Sequence, residues 1–316
     1  VLLAITLILT GCTRDPYPKN LSAWKLFTGD PKKLQPAQGV IPYDLNTTLF
    51  TDYATKRRFV WMPPGQSATY KADDTFDFPQ GAILSKTFSY GDRLIETRLL
   101  VNTAAGWVAL PYVWNAQQTD AILDVNADPV DVIWNGQKIH YAIPNQNQCR
   151  ECHDQNKITG PIGPKARHLN RDNQLANWTK IGYLRGTPVD PPRQPVWDDP
   201  SSGSLEARAR AYLEVNCAHC HSPNGSAGNT GLYLNDLQTD KMRIGFCKTP
   251  VSAGKASANM LFDVVPGHPE LSILAYRIAS TEPKIMMPEI GRTIVHQEGV
   301  ALIREWLASL PPSYCL

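Results

Sequence analysis

Short stretches of alternating apolar and polar residues dominate the first half of the chain, and helical spacing takes over in the second. Arg57–Met62, Ala82–Tyr90, Leu94–Asn102, Trp107–Trp114 and Asp131–Ile143 are rich in β-branched and aromatic residues. Gly, Pro, Asn and Asp separate them, which is the punctuation of strands. In the last stretch Asn135-Gly136 lies between Val132, Trp134 and Ile139, Tyr141, Ile143. Such a pair marks a two-residue hairpin, because its turn needs left-handed backbone at both positions. An antiparallel, sandwich-like β domain is expected, with Trp61, Trp107, Trp114 and Trp134 in its core rather than forming a sugar-binding platform. Beyond residue 200 the period changes. Leu205, Ala209, Tyr212, Leu213 and Asn216 follow the N-cap residue Ser204, and Val300, Ile303, Trp306, Leu307 and Leu310 precede Pro311-Pro312, each set lining one helical face. Pro269 opens a further short helix, PELSILAYRI, since the first helical position needs no N–H donor. The expected fold class is α+β: a β-rich region over residues 40–186, a Pro-rich linker Thr187–Pro200, and a helical region over residues 201–316.

Composition changes this picture in one respect. The 316 residues carry 31 Lys+Arg against 29 Asp+Glu, a net charge of +2, which offers no overall basic footprint for nucleic acid. With 42% hydrophobic and 19% charged residues the chain is not of disordered composition. Seven cysteines, however, cannot all pair within the chain. Val1–Thr10 is an apolar run of signal-peptide length, too short to span a bilayer. Leu9-Thr10-Gly11-Cys12 follows and resembles the lipobox of bacterial lipoproteins. That resemblance implies a leader over residues 1–11, a lipid on Cys12 and a tether over residues 12–39. Thr13, in place of an aspartate after the cysteine, implies an outer-membrane anchor facing the periplasm, with the lipid as the sole membrane contact.

Four of the remaining cysteines fall in Cys149-Arg150-Glu151-Cys152-His153 and Cys217-Ala218-His219-Cys220-His221. Both read C-x-x-C-H, the attachment pattern of c-type haem, in which two thiols form thioethers and the adjacent histidine ligates iron. Zinc is the competing reading, but its paired knuckles usually lie about 15–20 residues apart, and 64 residues separate Cys152 from Cys217 here. Two covalent haems are therefore expected. Cys247 and Cys315 suit a disulfide in an oxidising compartment, or else are two buried thiols. The order helix, C-x-x-C-H, loops, Met-Pro, terminal helix over residues 201–316 resembles a class I cytochrome c domain. The resemblance implies a methionine as second iron ligand; Met287, followed by Pro288, fits better than Met286. His/Met ligation raises the reduction potential relative to two histidines.

The first motif has no such methionine before the second. His168, His140 and Met62 are its candidate distal ligands, in that order, and Arg150, Arg167 and Arg171 could meet haem propionates. Asp73, Asp74 and Asp77 form a small acidic cluster, read as a solvated turn rather than a calcium site. Several strings, among them NTTLFTDYATKRRFVWMPPG, FPQGAILSKTF, NQCRECH and GPIGPKARHLNRD, resemble a bacterial family of exported di-haem c-type cytochromes with a β-rich N-terminal region. Electron transfer with a redox partner protein, or with a small-molecule donor or acceptor, is the expected function. A haem-dependent oxidoreductase, with substrate at the first haem or the β domain, is the alternative. No motif of a hydrolase, P-loop nucleotide enzyme or zincin is present.

Overall fold

The computed structural model describes residues 16–126, 128–312 and 315; the expected leader and Cys12 lie outside them. Six strands form one antiparallel meander in the order β1 to β6: Val40–Tyr43, Thr55–Trp61, Ile83–Tyr90, Arg93–Thr103, Gly106–Trp114 and Ala121–Leu123. A separate hairpin, β7 (Val130–Trp134) and β8 (Gln137–Tyr141), turns at Asn135-Gly136, both with positive φ. Among the described residues seven α-helices follow: α1 (Gln146–His153), α2 (Ala166–Leu169), α3 (Gln174–Lys180), α4 (Leu205–Leu213), α5 (Lys241–Ile244), α6 (Ile273–Ile278) and α7 (Gln297–Ser309). Among the described residues no helix is long and apolar enough to cross a membrane.

The architecture is α+β, but the β region is not a sandwich. Alternation gives the large sheet two apolar faces, and two different layers cover them. Phe59, Ile83, Leu99, Val101, Leu110 and Tyr112 on one face pack against Leu21, Leu26 and Leu34 of the N-terminal segment. On the other face Val60, Leu84, Leu100 and Ala109 form a cross-strand row that meets Cys149 of α1, Leu169 of α2 and Trp178 of α3. Of the four tryptophans expected in the core only Trp114 is buried, at 8% exposure. Trp61 and Trp107 flank the two clusters, and Trp134 stacks on Tyr53 at 4.0 Å between ring centroids.

The Pro-rich stretch Thr187–Pro200 is not a free linker. Gln194 is buried, with its backbone N–H on the Arg167 carbonyl (2.8 Å) and its side chain on Glu214 (2.8 Å). Trp197 packs into the helical core. The halves are joined at other points too. Buried Asp52 accepts hydrogen bonds from the backbone N–H groups of Thr293 and Ile294 and from the Thr293 hydroxyl, at 2.8–3.0 Å. The backbone N–H of Phe50 donates to Asn216 (2.8 Å).

In the helical half Ser204 caps α4, its hydroxyl accepting from the Ala207 N–H at 3.2 Å. The chain then widens into one π-helical turn, Glu214–Ala218, that carries Cys217. The helix expected from Pro269 is split: a single tight turn, Pro269–Leu271, ends at buried Ser272 before α6 begins. Helix α7 ends at Ser309, before Pro311-Pro312, and Cys315 beyond it forms a disulfide with Cys247 (Cα–Cα 5.0 Å). Gly299 of α7 faces Tyr212 of α4, and a Cβ there would overlap the phenol ring. That ring cannot readily move, because its hydroxyl is paired with His296 Nδ1 at 3.0 Å. Gly299→Ala should therefore cost about 1–3 kcal/mol by overpacking, seen as a lower urea midpoint with an unchanged m-value.

Candidate functional site

Helix α1 begins with a reciprocal cap. The Gln148 N–H donates to the Asn145 side chain (2.9 Å), and the Asn145 N–H to the Gln148 side chain (3.0 Å). This fixes where α1 starts, and one turn on it presents Cys149, Cys152 and His153 to a cavity of about 830 Å³. The second motif reaches the same cavity from the π-helical turn, with Cys217, Ala218 and His219 in the wall. The two motifs dock directly on each other. Gln155 donates to the His219 carbonyl (2.8 Å), the Asn156 N–H to the Asn224 carbonyl (2.9 Å), and Cys220 Sγ lies 3.6 Å from the Glu151 carbonyl. Sulfurs of Cys152 and Cys220 and a ring nitrogen of His219 lie within 4.8 Å of one another.

These contacts set the protonation states. Burial pushes the Cys217 thiol up to about 12 and also raises Cys149. Cys152 and Cys220 share a hydrogen bond, which raises Cys152 and lowers Cys220, where His219 adds its own pull. His153 is held down to about 4, mainly by burial and then by Lys86. It is a neutral imidazole at neutral pH, and its Nδ1 sits 2.8 Å from the Gly160 carbonyl, leaving Nε2 as the free coordinating atom. His221 is also lowered, chiefly by burial, and its buried Nδ1 makes no hydrogen bond of good geometry. Cys220 and His221 continue the second motif but do not themselves line the cavity.

Met287 does line it, whereas Met286 does not. Its loop is held by two arginines. Arg292, buried, donates to the carbonyls of Met287, Ser280 and Ile294, and Arg277 donates to that of Ile285. Among the distal candidates for the first motif, His140 is exposed and pairs with Asp131 (2.8 Å), and Met62 is buried in the sheet–helix core; neither reaches the cavity. His168 reaches it, but its ring lies between the Gly163 carbonyl (3.0 Å) and Glu214 (3.5 Å). The three arginines expected near propionates are each paired with carboxylates: Arg150 with Asp154, Arg167 with Glu214, Arg171 with Asp44 and Asp172.

The cavity also contains groups that no local motif announced. His296 stacks on Phe50 at 4.1 Å and is lowered to about 4 by burial. On the sheet floor lie Arg58, Lys86 and Arg98; burial, then Arg98 and Arg58, push the Lys86 ammonium down to about 7. Asp73, Asp74 and Asp77 line an exposed wall, with Lys71 on Asp77 at 2.7 Å. The residues present fit a large, covalently held planar group: paired thiols, a free imidazole nitrogen and a thioether sulfur meet one mostly apolar space. Comparison with known protein families, with curated proteins and with solved structures finds no match for this chain.

Proposed function

We propose that the protein is a di-haem c-type cytochrome that passes single electrons between two covalent haems and a redox partner protein or small-molecule donor or acceptor. The observation that carries this reading is the docking of two C-x-x-C-H motifs, 64 residues apart in sequence, around one cavity that also holds Met287. Haem iron bound there would supply one-electron oxidation and reduction. Cys149 and Cys152 would hold the first haem with His153 Nε2 toward iron, and the Gly160 carbonyl fixes that imidazole's tautomer. Cys217, Cys220 and His221 would hold the second, and Met287, its loop pinned by Arg292, would offer a thioether sulfur to its iron. His168 belongs on this reading to the Glu214 network and not to an iron.

The order α4, motif, loops, Met287-Pro288 and α7, with α7 packed on α4 at Gly299, supports a class I cytochrome c-like reading of residues 201–316. The Cys247–Cys315 disulfide supports an exported, periplasmic location. Attachment to the outer membrane through Cys12 is part of the same proposal. A second reading draws on the Cys152–His219–Cys220 cluster, which offers three of the four ligands of a zinc site.

One experiment separates the two. The pyridine haemochrome of the purified protein should give two haems per chain. Cys149→Ala with Cys152→Ala should remove one and leave the other, and Cys217→Ala with Cys220→Ala the reverse. Met287→Ala should keep both haems and abolish the weak near-infrared sulfur-to-iron band. A protein with no covalent haem and one stoichiometric zinc would overturn the proposal.

A further inference from the structure

The sheet floor of the cavity carries a charge pattern that folding alone does not call for. Strand register sets Arg58 of β2 opposite Lys86 of β3, and Lys86 opposite Arg98 of β4. The three side chains form one cross-strand row, and all three line the cavity. Like charges directly opposite in neighbouring strands repel and destabilise a sheet. The outer two are compensated: Arg58 by Asp44 at 2.9 Å, and Arg98 by Glu96 at 2.8 Å. Glu96 is itself fully buried and also accepts from the Tyr141 hydroxyl (2.7 Å), so its hydrogen bonds go to Arg98 and Tyr141, and it acts on Lys86 through its charge alone. Lys86, in the middle, has the Phe88 ring beside it at 5.2 Å and, among the described residues, no ion-pair or hydrogen-bonding partner. Next to the row on one side run the apolar residues Val60, Leu84 and Leu100.

We propose that Arg58, Lys86 and Arg98 form a carboxylate-binding site on the cavity floor, with Lys86 as its free cation. Two flanking guanidinium groups and one central ammonium present donors on a single face, suited to a carboxylate held by charge-assisted hydrogen bonds. The remaining acidic groups of the cavity do not fill this role: Asp77 pairs with Lys71, Glu214 with Arg167 and Lys165, and among the described residues no ion pair joins Asp73 or Asp74 to the row. The carboxylate has two possible sources. One is a propionate of a haem held by Cys149, Cys152 and His153, and that source rests on the proposed function. The other is a free small dicarboxylate entering the cavity, which does not.

The test uses the full-length protein as isolated, with Lys86→Gln and Lys86→Arg variants, and two readouts: sodium succinate titration by calorimetry and spectroelectrochemical midpoints of both haems. With a propionate in the site, succinate is not taken up, and Lys86→Gln lowers the midpoint of one haem only, because a nearby cation favours the reduced iron. With the site open to a free anion, succinate binds and Lys86→Gln weakens it at least tenfold. In either case Lys86→Arg, which keeps the charge, restores the wild-type behaviour and shows that the Gln effect is not a folding defect. No succinate uptake by the wild type, together with unchanged midpoints in Lys86→Gln, overturns the site. If the protein holds no haem, the proposed function fails and the succinate titration alone decides the site.

Discussion

Glu214→Ala should lower the unfolding free energy by roughly 3–5 kcal/mol, the cost of stranding buried partners when one member of an internal ion network is removed. Glu214 opens the π-helical turn that carries Cys217, and its side chain is 1% exposed. Arg167 donates to it through Nε (3.0 Å) and Nη2, Lys165 Nζ lies at 3.1 Å, Gln194 donates at 2.8 Å, and the His168 ring is at 3.5 Å. Without the carboxylate the Arg167 guanidinium, itself buried, keeps among the described residues a single hydrogen-bond acceptor, the Asp73 carbonyl. Three separate segments, around residues 165–168, residue 194 and the second motif, lose their common anchor.

The same residue sets an acid limit. Burial alone would raise the Glu214 pKa, but contacts with His168 and Arg167 and the Lys165 charge hold it well below the usual carboxylate range. In the unfolded chain it titrates near about 4.3. The folded state therefore binds fewer protons, so the stabilisation is complete above about 4.3 and is lost as pH falls below it. Urea midpoints measured from pH 7 down to pH 3 should fall less steeply for Glu214→Ala than for the wild type. Parallel curves would show that Glu214 is not the group that links acid to unfolding.

Much of the framework was legible because its signals are local. The strands around Phe59, Phe88, Leu99 and Leu110 begin and end within two residues of the alternating segments. The hairpin turns on Asn135-Gly136, where two left-handed residues leave little choice. What covers a strand is a different matter. Alternation at β3 and β4 tells that both faces are used, and says nothing of whether a second sheet, a helix or the N-terminal segment lies on top. The stretch around Gln194 misled for a related reason: proline-rich chain makes few hydrogen bonds within itself, which reads as a linker until a partner as distant as Arg167 or Glu214 supplies them. Local spacing was enough for both C-x-x-C-H motifs. Their docking through Gln155 and His219, and the assembly of Arg58, Lys86 and Arg98 into one row, depend on register between segments that carry no motif at all.

The Cys247–Cys315 disulfide closes a separation of 68 residues that contains α6, the Met287 loop and α7. Its main effect lies in the unfolded state, where it removes the freedom of that long loop; the chain-entropy relation gives about 4 kcal/mol. The native chain already brings the two ends together without it. The Cys247 N–H donates to the Val264 carbonyl (2.9 Å), the Gly267 N–H to the Leu307 carbonyl (2.9 Å), and Pro312 packs against Gly267. A Cys247→Ser/Cys315→Ser variant should thus fold to the same structure and lose close to that amount, read as a lower urea midpoint. The loss should be unchanged from pH 7 down to pH 3, which sets it apart from that of Glu214→Ala. Reductant should bring the wild type down to the variant's midpoint and leave the variant where it is. Equal midpoints for the oxidised wild type and the variant would mean that the loop is already restrained in the unfolded chain, and the entropic account would fail.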